Sequence, residues 1–212
     1  MKYSKGIKMP SITQIVITGG PCGGKTSCLS TLFERLTAKG YKVITISETA
    51  TDMFMSGIKN TEILPPEFEK MVIEYQIAKE KIALKAALNF PKVVILYDRG
   101  IPDCRAYMSD LDYQQGLKEN DLNEFQALNR YDAVMHLLTA AKGAEQFYTC
   151  ENNQARNEMD LEAIRQIDDK TQQAYANHPH LYIIDNSTDF EGKINRLCAK
   201  VFSVLGLSSS VF

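Results

Sequence analysis

The run Gly19-Gly20-Pro21-Cys22-Gly23-Gly24-Lys25-Thr26 satisfies G-x-x-x-x-G-K-[ST] at every fixed position. Residues of these types at this spacing can wrap a triphosphate. Glycines let the backbone turn tightly and bring its N–H groups to phosphate oxygens with no Cβ in the way. The Lys25 ammonium can reach the β- and γ-phosphates, and the Thr26 hydroxyl can ligate Mg²⁺. Gly20, Pro21, Cys22, Gly23, Gly24 and Ser27 complete the expected cradle, with Cys22 read as a small side chain that fits. A helix opening at Lys25 adds the positive end of its dipole. The dinucleotide pattern G-x-G-x-x-G is absent, and Lys25 would have no role in it.

Such a loop needs a carboxylate near its Mg²⁺ and, for phosphoryl transfer, a group to take the acceptor hydroxyl's proton. Asp98 ends the apolar run Val93-Val94-Ile95-Leu96-Tyr97, where a metal-holding acid is expected; Thr26 and Asp98 are the candidate metal ligands. Glu48 follows a second β-branched run. That strand is expected beside the first, so Glu48 should face the γ-phosphate. Glu48 and Asp98 are both candidate bases. Arg99 comes next, and Asp98-Arg99-Gly100 resembles the D-R-[GSY] run of nucleoside and nucleotide kinases. There the arginine helps hold the acceptor or the phosphates; an internal salt bridge is the equal alternative. The guanine-reading N-K-x-D of switch GTPases is missing.

The polar stretch 141–158 is placed as a lid, with Arg156 the candidate to reach the transferred phosphoryl group. Arg165 lies about half a turn round the following helix and is not chosen. Asn186 and Asp189 follow the last strand, where they can meet a purine edge; a helix cap at Ser187, Thr188 or Asp189 fits equally well. His178-Pro179-His180 reads as a prolyl turn rather than a metal site.

The elements that must position these groups alternate. Strands are expected at 12–18, 42–47, 93–97, 133–138 and 181–184, and helices at 25–38, 66–89, around 119–129, at 155–176 and from 190. Met71, Tyr75, Ala78 and Ile82 mark the second helix; Phe190, Ile194, Leu197, Val201 and Val204 mark the last, as a core-facing stripe. Residues 49–65 read as irregular. This pattern predicts an α/β three-layer sandwich: about five parallel strands, helices on both faces and a kinase-like lid. Ligands then bind at the carboxyl ends of the strands.

Composition agrees with one domain, 1–212, with residues 1–11 expected as a flexible extension. Of 212 residues 44% are hydrophobic and 24% charged, and the net charge is −2. No basic excess points to nucleic acid. The longest apolar run is far short of the ~20 residues that span a membrane. Five scattered cysteines need no disulfide framework, and a cytoplasmic setting is expected.

Taken in order, GGPCGGKT, SETAT, YDRGIPD, KGAEQFY, ARNE and IDNSTDF resemble the AAA-like P-loop NTPase domain of NadR-type nicotinamide riboside kinases and translocation-defect (Ttd-type) proteins, the second more closely. The resemblance implies a doubly wound P-loop fold that binds ATP or GTP with Mg²⁺. Two functions are then expected. One is a nucleotide-binding regulatory module with slow hydrolysis, read by a protein partner. The other is a small-molecule kinase acting on a nucleoside-like or other hydroxyl acceptor. The module is slightly preferred, because no grip for an acceptor can be read from residues 49–65.

Overall fold

The computed structural model describes residues 10–145 and 161–207. Five strands, β1 (Ser11–Thr18), β2 (Lys42–Ile46), β3 (Lys92–Asp98), β4 (Ala133–Leu137) and β5 (Leu181–Ile184), form one sheet in the order β2-β3-β1-β4-β5. Every pairing is parallel. β3 therefore lies between β2 and β1, which corrects the expectation that the second strand ends beside the first. Val93 to Tyr97 are fully buried, as suits a strand covered on both faces.

Side-chain alternation along the strands sorts the core in two. Ile15, Ile17, Val94, Leu96 and Met135 pack against Leu32 and Leu36 of α1 (Lys25–Ala38) and Leu197 and Val201 of α7 (Phe190–Val204). Val16, Val93, Ile95, Tyr97 and Val134 pack on the other face against Ala83 and Ala87 of α3 (Pro65–Ala87) and Ala174 of α6 (Leu161–Ala174). The three layers are those expected.

The departures lie in the connections. Residues 49–65 are not wholly irregular: Thr49–Met55 form α2, a helix too short to show periodicity, with Met53 buried against Phe68 and Ile73. The single helix expected around 119–129 is instead two, α4 (Asp110–Glu119) and α5 (Glu124–Leu128). Asp121 breaks the chain between them with a left-handed φ of 56°, and a new capping box starts at Asn123 and Gln126. A short 3₁₀ helix, Ile101–Ala106, follows β3.

α3 lies where its periodicity places it, but its marker residues face outward. Met71, Tyr75, Ala78 and Ile82 are exposed; Phe68, Val72, Ile73, Gln76, Glu80, Ala83 and Ala87 are buried. Phe190 likewise leaves the core-facing stripe of α7 and is half-exposed. Among the described residues no helix is long and apolar enough to cross a membrane.

Candidate active site

β1 ends at Thr18 and the chain turns at once. Gly19 has a φ of 134°, and a Cβ there would collide with the Leu137 carbonyl of β4. Cys22 takes a left-handed φ of 58°, and Gly24, at 83°, precedes the first turn of α1. The Phe190 ring occupies the space a Cβ on Gly24 would need. Only glycine meets both demands at 19 and at 24.

Lys25 folds back over this loop. Its Nζ donates to the carbonyls of Gly19 at 3.0 Å and Gly20 at 2.9 Å. Burial, and then the Arg99 charge, lower its pKa to about 8. The ammonium thus sits in the loop's mouth, within the cavity that runs along it.

That cavity, of about 770 Å³, is lined by residues 22–27, Glu48, Asp98, Asn186, Asp189, Phe190 and Lys193, among others. Gly20 and Pro21 are tied from behind. The Gly20 N–H donates to Asp168 Oδ1 at 2.7 Å, and Thr139 Oγ1 donates to the Pro21 carbonyl at 2.5 Å.

Asp168 was not legible as a site residue. It is buried on α6, takes Lys142 Nζ on Oδ2 at 2.8 Å, and has His136 Nε2 3.2 Å from Oδ1. Burial alone would raise its pKa; the contacts with His136 and Lys142 outweigh this and hold it well below the usual carboxylate range. One carboxylate thereby joins the phosphate loop, the segment after β4 and α6. The only sequence signal is an acid at an inward position of an otherwise polar helix.

Asp98 is pushed up to about 6, first by burial and despite the nearby Lys25. Its Oδ1 is buried without a hydrogen-bond partner among the described residues. An orphaned carboxylate oxygen lining the same cavity as the Thr26 hydroxyl suits a hard divalent cation, which prefers oxygen ligands.

Glu48 and Arg99 meet directly, Nε to Oε1 at 2.6 Å. Thr51 Oγ1 donates to the other Glu48 oxygen at 2.7 Å. Burial would raise the Glu48 pKa, but Arg99 and Lys25 prevail and bring it to about 2. Arg99 also reaches Asp103 Oδ1 at 3.0 Å. Asp103 accepts further from Thr18 Oγ1, Gly100 N and Tyr175 Oη. Of the two expectations for Arg99, the internal salt bridge is the arrangement seen.

On the far side of this pair lies a second cavity of about 190 Å³. Glu48 belongs to the walls of both. The smaller cavity has apolar sides, Phe54 of α2 with Phe68 and Val72 of α3, and polar groups from Arg99, Gln76 and Glu69. Gln76 is fixed by Thr49 Oγ1, which donates to its Oε1, and by its own Nε2, which donates to Glu80. Burial pushes Glu69 up to about 7. Apart from Glu48 and Arg99, sequence reasoning singled out none of these residues.

At the other end of the larger cavity, the purine-edge expectation meets competition. Asn186 Nδ2 donates to the Thr139 and Lys142 carbonyls, both at 2.8 Å, and its Oδ1 accepts from Lys193 Nζ at 2.8 Å. Its amide is spent on clipping the loop, so as placed it has no donor left for a base. Asp189 is the N-cap of α7, accepting from Gly192 N at 2.8 Å through one oxygen. Phe190, missed by the sequence reading, supplies an apolar wall there.

Arg165 donates from Nε to the Ala141 carbonyl at 2.7 Å and so anchors the start of the expected lid. Arg156 and most of the lid fall outside the described residues. Both nitrogens of His178 are engaged, Nε2 with the Tyr131 carbonyl and Nδ1 with His180 N, which accounts for it as part of a turn.

Sheet, phosphate loop and strand-end acids together define a P-loop α/β protein. The AAA domain family matches residues 14–193, and the chain belongs to that family. The fold is similar to that of a solved structure, deoxyadenosine kinase from M. mycoides with bound dATP, with a TM-score of 0.58 at 17% identity. The match covers 89% of this chain and 98% of the other. No curated protein matches the chain.

Proposed function

We propose that this protein is a small-molecule kinase of the P-loop class. A purine nucleoside triphosphate, ATP or GTP, occupies the larger cavity with Mg²⁺, and its γ-phosphoryl group passes to a hydroxyl of a small molecule in the smaller one. The observation that carries this reading is that Glu48 lines both cavities. A group at the junction of donor and acceptor sites is where a transfer requires it.

Each residue then has a task. Backbone N–H groups of residues 22–27 cradle the phosphates, and Lys25 exchanges the Gly19 and Gly20 carbonyls for phosphate oxygens. Thr26 and Asp98 hold Mg²⁺, which supplies charge neutralisation as the phosphoryl group moves. Glu48 accepts a hydrogen bond from the acceptor hydroxyl and aims its oxygen at the γ-phosphorus. The new O–P bond forms as the bond to the β–γ bridging oxygen breaks, and the hydroxyl proton passes to Glu48 and then to water. A carboxylate held near pKa 2 is a weak base, but a loose transition state asks mainly for orientation. Arg99 fixes that orientation. Arg156 is assigned to the transferred phosphoryl group from the lid and Asp189, through its remaining carboxylate oxygen, to the purine end of the cavity, which Asn186 shapes by clipping the loop.

Within the family we favour the NadR-type and Ttd-type branch, on the motifs quoted above. The regulatory-module reading was preferred for want of an acceptor grip in 49–65. α2 and the wall it gives the smaller cavity supply one, and this favours the kinase. Buried Cys28, Cys104 and Cys198 are thiols, which agrees with a reducing, cytoplasmic setting.

The test is a phosphotransfer screen of hydroxyl-bearing metabolites with γ-labelled ATP and GTP, with and without Mg²⁺. Transfer to an acceptor that Glu48→Gln abolishes is expected. Hydrolysis alone, at a rate no acceptor changes, would refute the proposal.

A further inference from the structure

α3 carries an apolar stripe that none of the described residues covers. Met71, Tyr75 and Ile82 are 43%, 45% and 67% exposed, and Ala78 lies among them. Positions 71, 75, 78 and 82 recur at helical spacing on one face, opposite the buried set. A monomer gains nothing by exposing Ile and Met in register, and such a face marks an interaction surface.

The charges beside the stripe indicate what covers it. On a 3.6-residue wheel Glu67, Glu74, Lys81 and Lys85 share one flank, the acids toward the N-terminal end and the lysines toward the C-terminal end. Among the described residues Glu74, Lys81 and Lys85 have no ion-pair partner in the monomer. Lys81 and Lys85 stand at i and i+4, a like-charge pair that an isolated helix tolerates at a cost. Two antiparallel copies of this helix bring matching flanks together, so each Glu74 meets the other copy's Lys81. A parallel two-fold pairing would instead turn opposite flanks toward each other, so Glu74 and Lys81 would not meet. Ala78 falls at the centre, where a small side chain lets two helices approach on a two-fold axis.

We infer that the chain forms an isologous dimer through α3, antiparallel about Ala78, with Met71, Tyr75 and Ile82 as the apolar seam and Glu74–Lys81 pairs at its edge. Tyr75 is already braced by Lys79, whose Nζ lies 5.3 Å from its ring centre. Lys79 is itself held by Asp52 and Ser47, so the seam needs little ordering on association. Two helices touching along ~34 Å reach only the lower end of stable interfaces, ~1,200 Å² in total, and the dimer should dissociate on dilution. This inference does not depend on the kinase reading.

Sedimentation velocity across a concentration series tests it. The unmodified protein should show a dimer that dissociates on dilution. Ile82→Glu, at an exposed position, should leave the circular dichroism spectrum unchanged and yield monomer at every concentration. Glu74→Lys and Lys81→Glu should each weaken the dimer by roughly tenfold, since two symmetric pairs turn repulsive, and the double exchange should restore it. A monomer throughout would overturn the inference, as would a dimer indifferent to Ile82→Glu. Failure of the double exchange to restore affinity would overturn the antiparallel register. A monomer that sediments with phosphatidylcholine vesicles containing phosphatidylserine, and loses this in Ile82→Glu, would assign the face to a membrane and defeat the dimer.

Discussion

The geometry at Lys25 and Glu48 gives each a separable role. Lys25 is held by two loop carbonyls in the free protein and lines the cavity that runs along the loop. Lys25→Ala should weaken Mg²⁺–triphosphate binding by ~1.5–3 kcal/mol, the range for a charge-assisted hydrogen bond. Equal calorimetric affinities for variant and parent would refute its role. Glu48 sits across the loop, bound to Arg99 rather than to the cradle. Glu48→Gln keeps the size and removes the charge that pairs with Arg99. Transfer should fall by ~10²- to 10⁴-fold while triphosphate affinity stays close to that of the parent. A loss of nucleotide binding equal to the loss of turnover would show that Glu48 serves the loop and not the acceptor.

Elements hold these residues in place, and Asp168 is the main tie between α6 and the phosphate loop. Asp168→Asn removes the charge that faces Lys142 and leaves one acceptor oxygen where Gly20 N–H and Lys142 now have two, although Lys142 keeps Asp169, so it should cost ~1–3 kcal/mol at neutral pH. The folded-state pKa is depressed, so the ionised form contributes stability above the ordinary aspartate value, about 3.9, and loses it as pH falls through the folded value. Urea titrations of parent and variant should therefore converge in strong acid; a constant gap would contradict this.

The phosphate loop and β3 could be read in advance because their signals are local: a fixed glycine spacing, and five consecutive apolar residues for a strand buried on both faces. The inner face of α3 could not. Gln76 and Glu80 look like a solvent face, yet they are buried because each satisfies the other and Tyr131 and Arg130 complete the set. The apolar positions at helical spacing placed the helix, but they face outward. The place of β3 between β2 and β1 is a long-range pairing that no short window contains. Glu48 and Asp98 were named from strand ends alone, whereas Asp103, Gln76 and Asp168 act through partners 27 to 148 residues away.

Across the whole molecule, the two cavities share Glu48 as a wall, and the polar groups around that junction tie together the ends of several elements. Asp103 gathers Thr18 at the end of β1, Arg99 and Gly100 after β3, and Tyr175 after α6. A ligand in the larger cavity bears on the ends of β1 and β3 and on α1 and α7 together, so binding should stabilise the domain as a unit. Mg²⁺–triphosphate at a hundred times its dissociation constant adds ~2.7 kcal/mol by mass action. For a chain of this size that is roughly a 5–11 °C rise in Tm. The parent and Glu48→Gln should show the full rise in a thermal scan. Lys25→Ala should show at most about half of that rise at the same ligand concentration, because its dissociation constant is higher by the factor argued above. An acceptor found by the transfer screen should raise Tm further in the parent, through α2 and α3, and by less in Glu48→Gln. An acceptor that shifts Tm equally in both would be bound at a site that Glu48 does not touch, and the shared wall between the cavities would lose its meaning for catalysis.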